Sequence, residues 1–261
     1  MRRERSRKRE RGFTLIELLA AMGIFLVVCG AAFTLLNTSQ QRYQTESQVL
    51  NSFQEARLGL DQIVRDVNDA GYPPPTFFSS AAPANSAISP FAWSPGYPTP
   101  GKPSGSACAI GSGVGSCTTP GDFDLIIETN PNPQDGPTVQ WIRYQLQGTT
   151  LMRGVAPKAS NADPANAFTD AYAPVPFVQN VANSPAQPIF SYTCDAATAA
   201  PASCVNLPPC PPNLPPTGNC PQSVRDVMIT LIVAAPQPDA TTGQQRLVVL
   251  NGRGRRINPN R

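Results

Sequence analysis

Hydrophobic and polar positions fall into three successive regimes along the 261 residues. The first is an apolar run over residues 13–36, 24 positions broken only by Thr14, Glu17, Thr34 and small residues. At 1.5 Å per residue a helix over this run reaches about 36 Å, enough to cross the roughly 30 Å hydrocarbon core of a bilayer. The second regime is amphipathic. Val49, Phe53, Ala56, Leu60, Ile63 and Val67 recur in steps of four and three, the stripe of a helix expected to pack on the protein's own sheet. Arg57–Asp61, Asp61–Arg65 and Arg65–Asp69 stand four apart with opposite charge, which predicts ion pairs worth roughly a few tenths of a kcal/mol each. Gly71, followed by Tyr72-Pro73-Pro74-Pro75, ends the helix.

The third regime changes period. Residues 73–121 are rich in Pro, Ser, Ala and Gly with little periodicity, and read as a long loop outside the core. Alternation and β-branched content then predict strands over residues 122–129, 139–146, 150–153, 176–181, 189–193, 224–234 and 246–251. Gln147-Gly148-Thr149 is placed to turn a hairpin. One long helix followed by mostly antiparallel strands is an α+β chain. The expected organisation is a basic leader (1–12), a transmembrane helix (13–36) and its amphipathic continuation (37–72). Then come the loop (73–121), a β-rich head (122–251) and a basic tail (252–261).

Charge sharpens this division. The net +3 is the sum of +5 in residues 1–12 and −2 in everything after them. A basic arm before an apolar helix keeps the N-terminus cytoplasmic and sends the rest across the inner membrane into the periplasm. A cleaved secretory signal fits less well, because its apolar region spans only about 7–15 residues and no A-x-A-like site follows here. Val28 before Cys29 likewise argues against a lipoprotein site. Proline reinforces the boundary: all 30 prolines lie from Pro73 onward. With no histidine anywhere, His-based triads, His-ligated metals and imidazole acid–base catalysis are excluded.

Glu17 is the anomaly of the apolar run. A carboxylate inside a membrane helix costs about 3 kcal/mol even on permissive insertion scales, and so marks function; snorkelling to the interface is the bland alternative. Gly12-Phe13-Thr14-Leu15-Ile16-Glu17, between a basic leader and an apolar helix, resembles the type IV prepilin processing motif G-F-T-L-x-E. The resemblance implies a type IV pilin-like fold. It also implies cleavage after Gly12 by a prepilin peptidase/N-methyltransferase and N-methylation of Phe13. It further gives Glu17 an α-amino partner, its own or a neighbouring subunit's, which makes a buried carboxylate tolerable. The A-R-x-x-L-D…R-D-x…A-G-Y run over residues 56–72 is similar to minor pilins of the PilW type, with the J-type minor pseudopilins of type II secretion as close relatives. What this implies is a structural protein rather than an enzyme, without a cofactor. It would act in pilus initiation and assembly, with other minor pilins and the major pilin as partners.

Seven cysteines divide into Cys29, an apolar residue of the membrane helix, and six in the exported part. Cys108, Cys117, Cys194, Cys204, Cys210 and Cys220 are an even set in an oxidising compartment, and candidates for disulfides. Cys108–Cys117 is a local pairing that closes a Gly/Ser loop, and the other four flank a proline-rich stretch; six cysteines allow 15 connectivities. A zinc site of four cysteines lacks its C-x-x-C knuckles, and a cysteine nucleophile lacks both His and a basic neighbour. The run 130–136 (NPNPQDG) offers oxygen ligands but not the EF-hand spacing, and reads as a turn between strands. The Arg-rich residues 252–261 carry no interleaved aromatics, so they read as a solvated tail, and nucleic acid is not an expected partner. Two rivals stay open: a minor pseudopilin of type II secretion, and a membrane-anchored exported enzyme or ligand-binding domain.

Overall fold

The structure is a computed structural model that describes residues 12–77, 83–94, 118–136, 138–158, 164–195, 202–206, 219–239 and 242–257. Its spine is α1, Leu15–Asn68, 54 residues in one helix, about 81 Å long at the standard rise. No proline falls in that span, and Thr14 in extended conformation caps its start. At the other end Gly71 takes a left-handed φ of +83°, which a side chain would oppose. There the chain is tied to the head: Gly71 N donates to Glu128 O (2.8 Å), Asn130 N to Tyr72 O (2.9 Å) and Thr129 Oγ1 to Asp69 O (2.7 Å).

The head has two antiparallel sheets. The first follows chain order, β1 (Phe91–Ala92), β2 (Asp124–Thr129), β3 (Gln140–Gln147), β4 (Thr150–Pro157) and β5 (Val175–Val178). β3 and β4 form the expected hairpin, with Gln147 opposite Thr150 and Gly148 at φ +60°. The second sheet runs β7-β6-β8-β9, from β6 (Phe190–Cys194), β7 (Ala202–Ser203), β8 (Val224–Ala234) and β9 (Leu247–Arg255). The fold is therefore α+β and type IV pilin-like: one long N-terminal apolar helix and antiparallel sheets.

The helix meets both sheets with its last third only. Ala56, Leu60, Ile63 and Val67 are buried among Leu125, Ile127, Ile142 and Leu151 of the first sheet and Phe190, Val227, Ile229 and Leu231 of the second. Each large side chain so buried contributes about 1.5–3 kcal/mol. Val49 and Phe53, earlier on the same stripe, are only half-buried. The opposite face of the first sheet carries a smaller cluster of Trp93, Ile126, Trp141, Ala156 and Phe168.

Four expectations need correction. The segment 73–121 is not all loop: β1 pairs with β2, and Ala87, Phe91, Ala92 and Trp93 are buried. A two-residue strand is too short to show alternation, so composition misled. Residues 252–255 are not a tail but the second half of β9, paired with β8 up to Arg255–Asp226. β4 continues to Pro157, past the 150–153 that alternation marked, because Gly154 interrupts the side-chain pattern without interrupting the ladder. Among the described residues the three i,i+4 charge pairs of α1 do not close as ion pairs; the helix's ion pair is Asp66 with Arg153 of β4. Arg57, Asp61, Arg65 and Asp69 are all exposed, where holding two long side chains in one geometry costs about what the pairing returns.

Candidate functional site

The start of α1 is a capping box. Glu17 N donates to Thr14 Oγ1 at 3.4 Å, and Thr14 N and Oγ1 both donate to Glu17 Oε2 at 2.9 Å. The reciprocal pair satisfies two backbone donors that a helix end leaves open, and halts the helix at Leu15. Gly12 and Phe13 stay outside it, non-helical and exposed, Phe13 to 89%. The Gly12–Phe13 bond thus lies in open chain two residues before the helix. Glu17 sits on the first turn, its carboxylate bonded to Thr14 at the end of that open chain.

From here to Gln44 the helix is bare. Leu15, Ile16, Leu18, Leu19, Met22, Ile24, Phe25 and their successors are all exposed, and none of the most apolar stretch is covered by the head. A soluble domain would bury such a surface. A helix of this length and composition is a candidate membrane span, and Cys29 on it is a free, exposed thiol.

At the far end, Asp66 locks the helix to the head. Its Oδ2 accepts from Tyr144 Oη (2.5 Å) and Arg153 Nη2 (3.0 Å), and its Oδ1 from Gln62 Nε2 (2.7 Å). Arg153 also donates from Nε to Tyr144 Oη (3.0 Å) and stands 5.7 Å from the Tyr144 ring centroid. Burial first, then the Asp66 carboxylate, pushes the Tyr144 phenol up, so it remains a neutral donor. Glycines make a second contact. A Cβ on Gly252 would lie 2.7 Å from Leu60 Cδ1, and one on Gly254 would run into Val67. β9 therefore lies directly on the helix, with Arg255 N donating to Asn68 Oδ1 at 2.8 Å. Glu128 and Lys158 form a third fixture, a fully buried ion pair. Ile88 N donates to Glu128 Oε1 (2.9 Å) and Lys158 Nζ to Ser86 O (2.8 Å), which pins residues 86–88 over the first sheet. Burial pushes Glu128 up and Lys158 down from their ordinary values, against their mutual attraction.

The residues singled out from the sequence are thus spread over the molecule. Gly12, Phe13 and Glu17 cluster at the helix start. Cys194 and Cys204 form a disulfide, S–S 2.08 Å, ten residues apart. Cys220 is also disulfide-bonded, while Cys108, Cys117 and Cys210 lie outside the described residues. The run 130–136 is a turn closed by Asn130, whose Nδ2 donates to Gly136 O (2.7 Å) and whose Oδ1 accepts from Asn132 N (3.1 Å). Among the described residues no three of His, Cys, Asp or Glu stand close enough together to hold a metal ion. Among the described residues the arginines beyond Gly252 are engaged: Arg253 and Arg255 with Asp226, Arg256 with Asp195. Asp66, Tyr144 and Arg153 escaped the sequence reading. The available clue was Asp66 itself, an acid set beside Ile63 and Val67 on the apolar face.

A family model described as the prokaryotic N-terminal methylation motif matches residues 7–33. No curated protein and no solved structure matches the chain. The matched residues cover the end of the basic leader, the open Gly12–Phe13 bond, the capping box and most of the bare helix. With that motif at the start of a long apolar helix, and an antiparallel head on the helix's other end, the chain is type IV pilin-like and carries the signal for prepilin peptidase.

Proposed function

We propose that the chain is a minor pilin, a structural subunit that takes part in initiating and assembling a type IV pilus. The observation that carries this reading is the geometry at its start: an open Gly12–Phe13 bond followed by a capped, bare apolar helix. Cleavage there removes the basic arm and leaves Phe13 as the N-terminus, to be methylated by the same prepilin peptidase. Residues 13–36 hold the subunit in the inner membrane, the head stands in the periplasm, and Glu17 pairs with its own or a neighbour's α-amino group. Other minor pilins and the major pilin are the partners, packed along the exposed face of α1. The role asks for no cofactor and no catalytic group. The A-R-x-x-L-D…A-G-Y run at the helix end supports a PilW-type minor pilin in particular, because it builds the lock through Asp66 and the turn through Gly71.

Mass spectrometry of the mature protein tests the first step, with N-methylated Phe13 as the expected terminus; an intact Met1 would sink the reading. Glu17→Ala should leave cleavage largely intact and impair assembly, so normal piliation would remove Glu17 from that role. Deleting the gene should abolish pili; loss of exoprotein secretion with pili unaffected would assign the chain to a type II secretion system instead.

A further inference from the structure

β9 is the outer strand of the second sheet, with β8 on one side and no strand among the described residues on the other. Ala235 N donates to Arg246 O and Arg256 N to Arg225 O, so the even-numbered residues of β9 point their backbone groups at β8. By alternation the odd-numbered ones point outward. Arg255 N does so and is taken by Asn68 Oδ1. The outward N–H and C=O groups of Leu247, Val249, Asn251 and Arg253 meet no partner among the described residues. Natural sheets blunt such an edge with lysine, proline or a bulge. Residues 247–252 have none of these and no charged side chain, and Leu247 and Val249 are 59% and 54% exposed.

Two further features choose the occupant. The far end of the strand is positive: among the described residues Arg225, Arg253, Arg255 and Arg256 gather around two carboxylates, Asp195 and Asp226. The strand also has a direction. Leu60 touches Gly252, Val67 lies against Gly254, and Asn68 bonds Arg255, so β9 runs with α1, away from the membrane end. Two β9 edges paired antiparallel, the more stable arrangement, would set their helices head to tail, which two copies anchored in one membrane cannot do.

We propose that residues 247–253 are a docking edge for a strand of a different chain. That strand runs antiparallel, back toward the membrane, with apolar side chains beside Leu247 and Val249 and an acidic one near Arg253. Main-chain hydrogen bonds supply the affinity and the side chains the choice of partner. The proposal rests on the reading of the chain as a membrane-held fibre subunit.

The test uses the full chain in its own host, with a photo-cross-linking phenylalanine at Val249 and, separately, at Leu50 on the exposed face of α1. Val249 should give an adduct to another protein. Asn251→Pro removes one outward N–H and the Thr230 Oγ1–Asn251 Oδ1 bond but leaves the main-chain ladder to β8, and should cut that adduct about tenfold, as should Val249→Lys read from a probe at Leu247. Methylated Phe13 and the protein level should stay unchanged in both variants. A Leu50 adduct with none at Val249, an adduct of twice the chain's own mass, or a yield indifferent to both substitutions would overturn the docking edge and leave the pilin reading standing. A mature N-terminus other than Phe13 would overturn that reading and the docking edge with it.

Discussion

Asp66→Ala isolates what holds the helix to its head. Asp66 is 4% exposed and accepts three hydrogen bonds, one from the Arg153 guanidinium and one from the Tyr144 phenol. Breaking a buried ion pair by removing one partner costs about 3–5 kcal/mol. Arg153 keeps a quarter of its side chain in solvent and can rehydrate in part, which lowers the cost to about 2–4 kcal/mol. Tyr144→Phe removes only one of the three donors and should cost about 1–2 kcal/mol. In a chain of this size 1 kcal/mol moves the midpoint by roughly 2–4 °C, so Asp66→Ala should lower the melting temperature by about 4–16 °C. The assay is thermal melting of the full chain in detergent, followed by near-ultraviolet circular dichroism, which reports the packed aromatics of the head and not the free helix. The double variant should fall short of the sum of the single ones, because the two groups share a bond. A melting temperature within 1–2 °C of the wild type, or full additivity, would show that the helix is held by apolar burial alone.

Other consequences follow from the same contacts. Gly254→Val puts a branched side chain against Val67 and should destabilise by about 1–3 kcal/mol in the same melt, whereas Gly243→Ala has open space around it and carries only the cost of its positive φ. Lys158→Met leaves Glu128 buried beside an uncharged chain and should cost about 3–5 kcal/mol. Adding Glu128→Leu should recover most of that loss; a double variant worse than the single would contradict it. Burial raises the Asp226 carboxyl, but hydrogen bonds from Arg253 and Thr193 and the charges of Arg253 and Arg255 outweigh it and hold it below the usual carboxylate range. The stability it contributes is therefore present above the ordinary carboxylate pKa of about 4 and is lost as pH falls through the lower folded value. Asp226→Asn should flatten that acid limb of the melting-temperature profile, and an unchanged limb would assign it to other groups.

Some of this protein is written locally and some is not. The membrane-length run, the stripe from Val49 to Val67 and the break at Gly71 are determined by the sequence, because helix period and helix stops act over a few residues. The same holds for β8, where eleven residues of β-branched alternation leave no other period to adopt. The processing motif is local too, being six consecutive residues in a fixed setting. Tertiary structure alone decided the rest. Tyr144 and Arg153 lie 78 and 87 residues from Asp66, and nothing in their own neighbourhoods marks them as its partners. The Gly-Arg-Gly-Arg run beyond Asn251 has the composition of a solvated tail. It becomes a strand because its glycines fit against Leu60 and Val67 and its arginines reach Asp226. Phe91 and Trp93, in a stretch that reads as loop, are buried because a two-residue strand and a buried ion pair hold that stretch against the first sheet. In each case the deciding energy is a contact between segments far apart in the chain, and such contacts leave no period behind them.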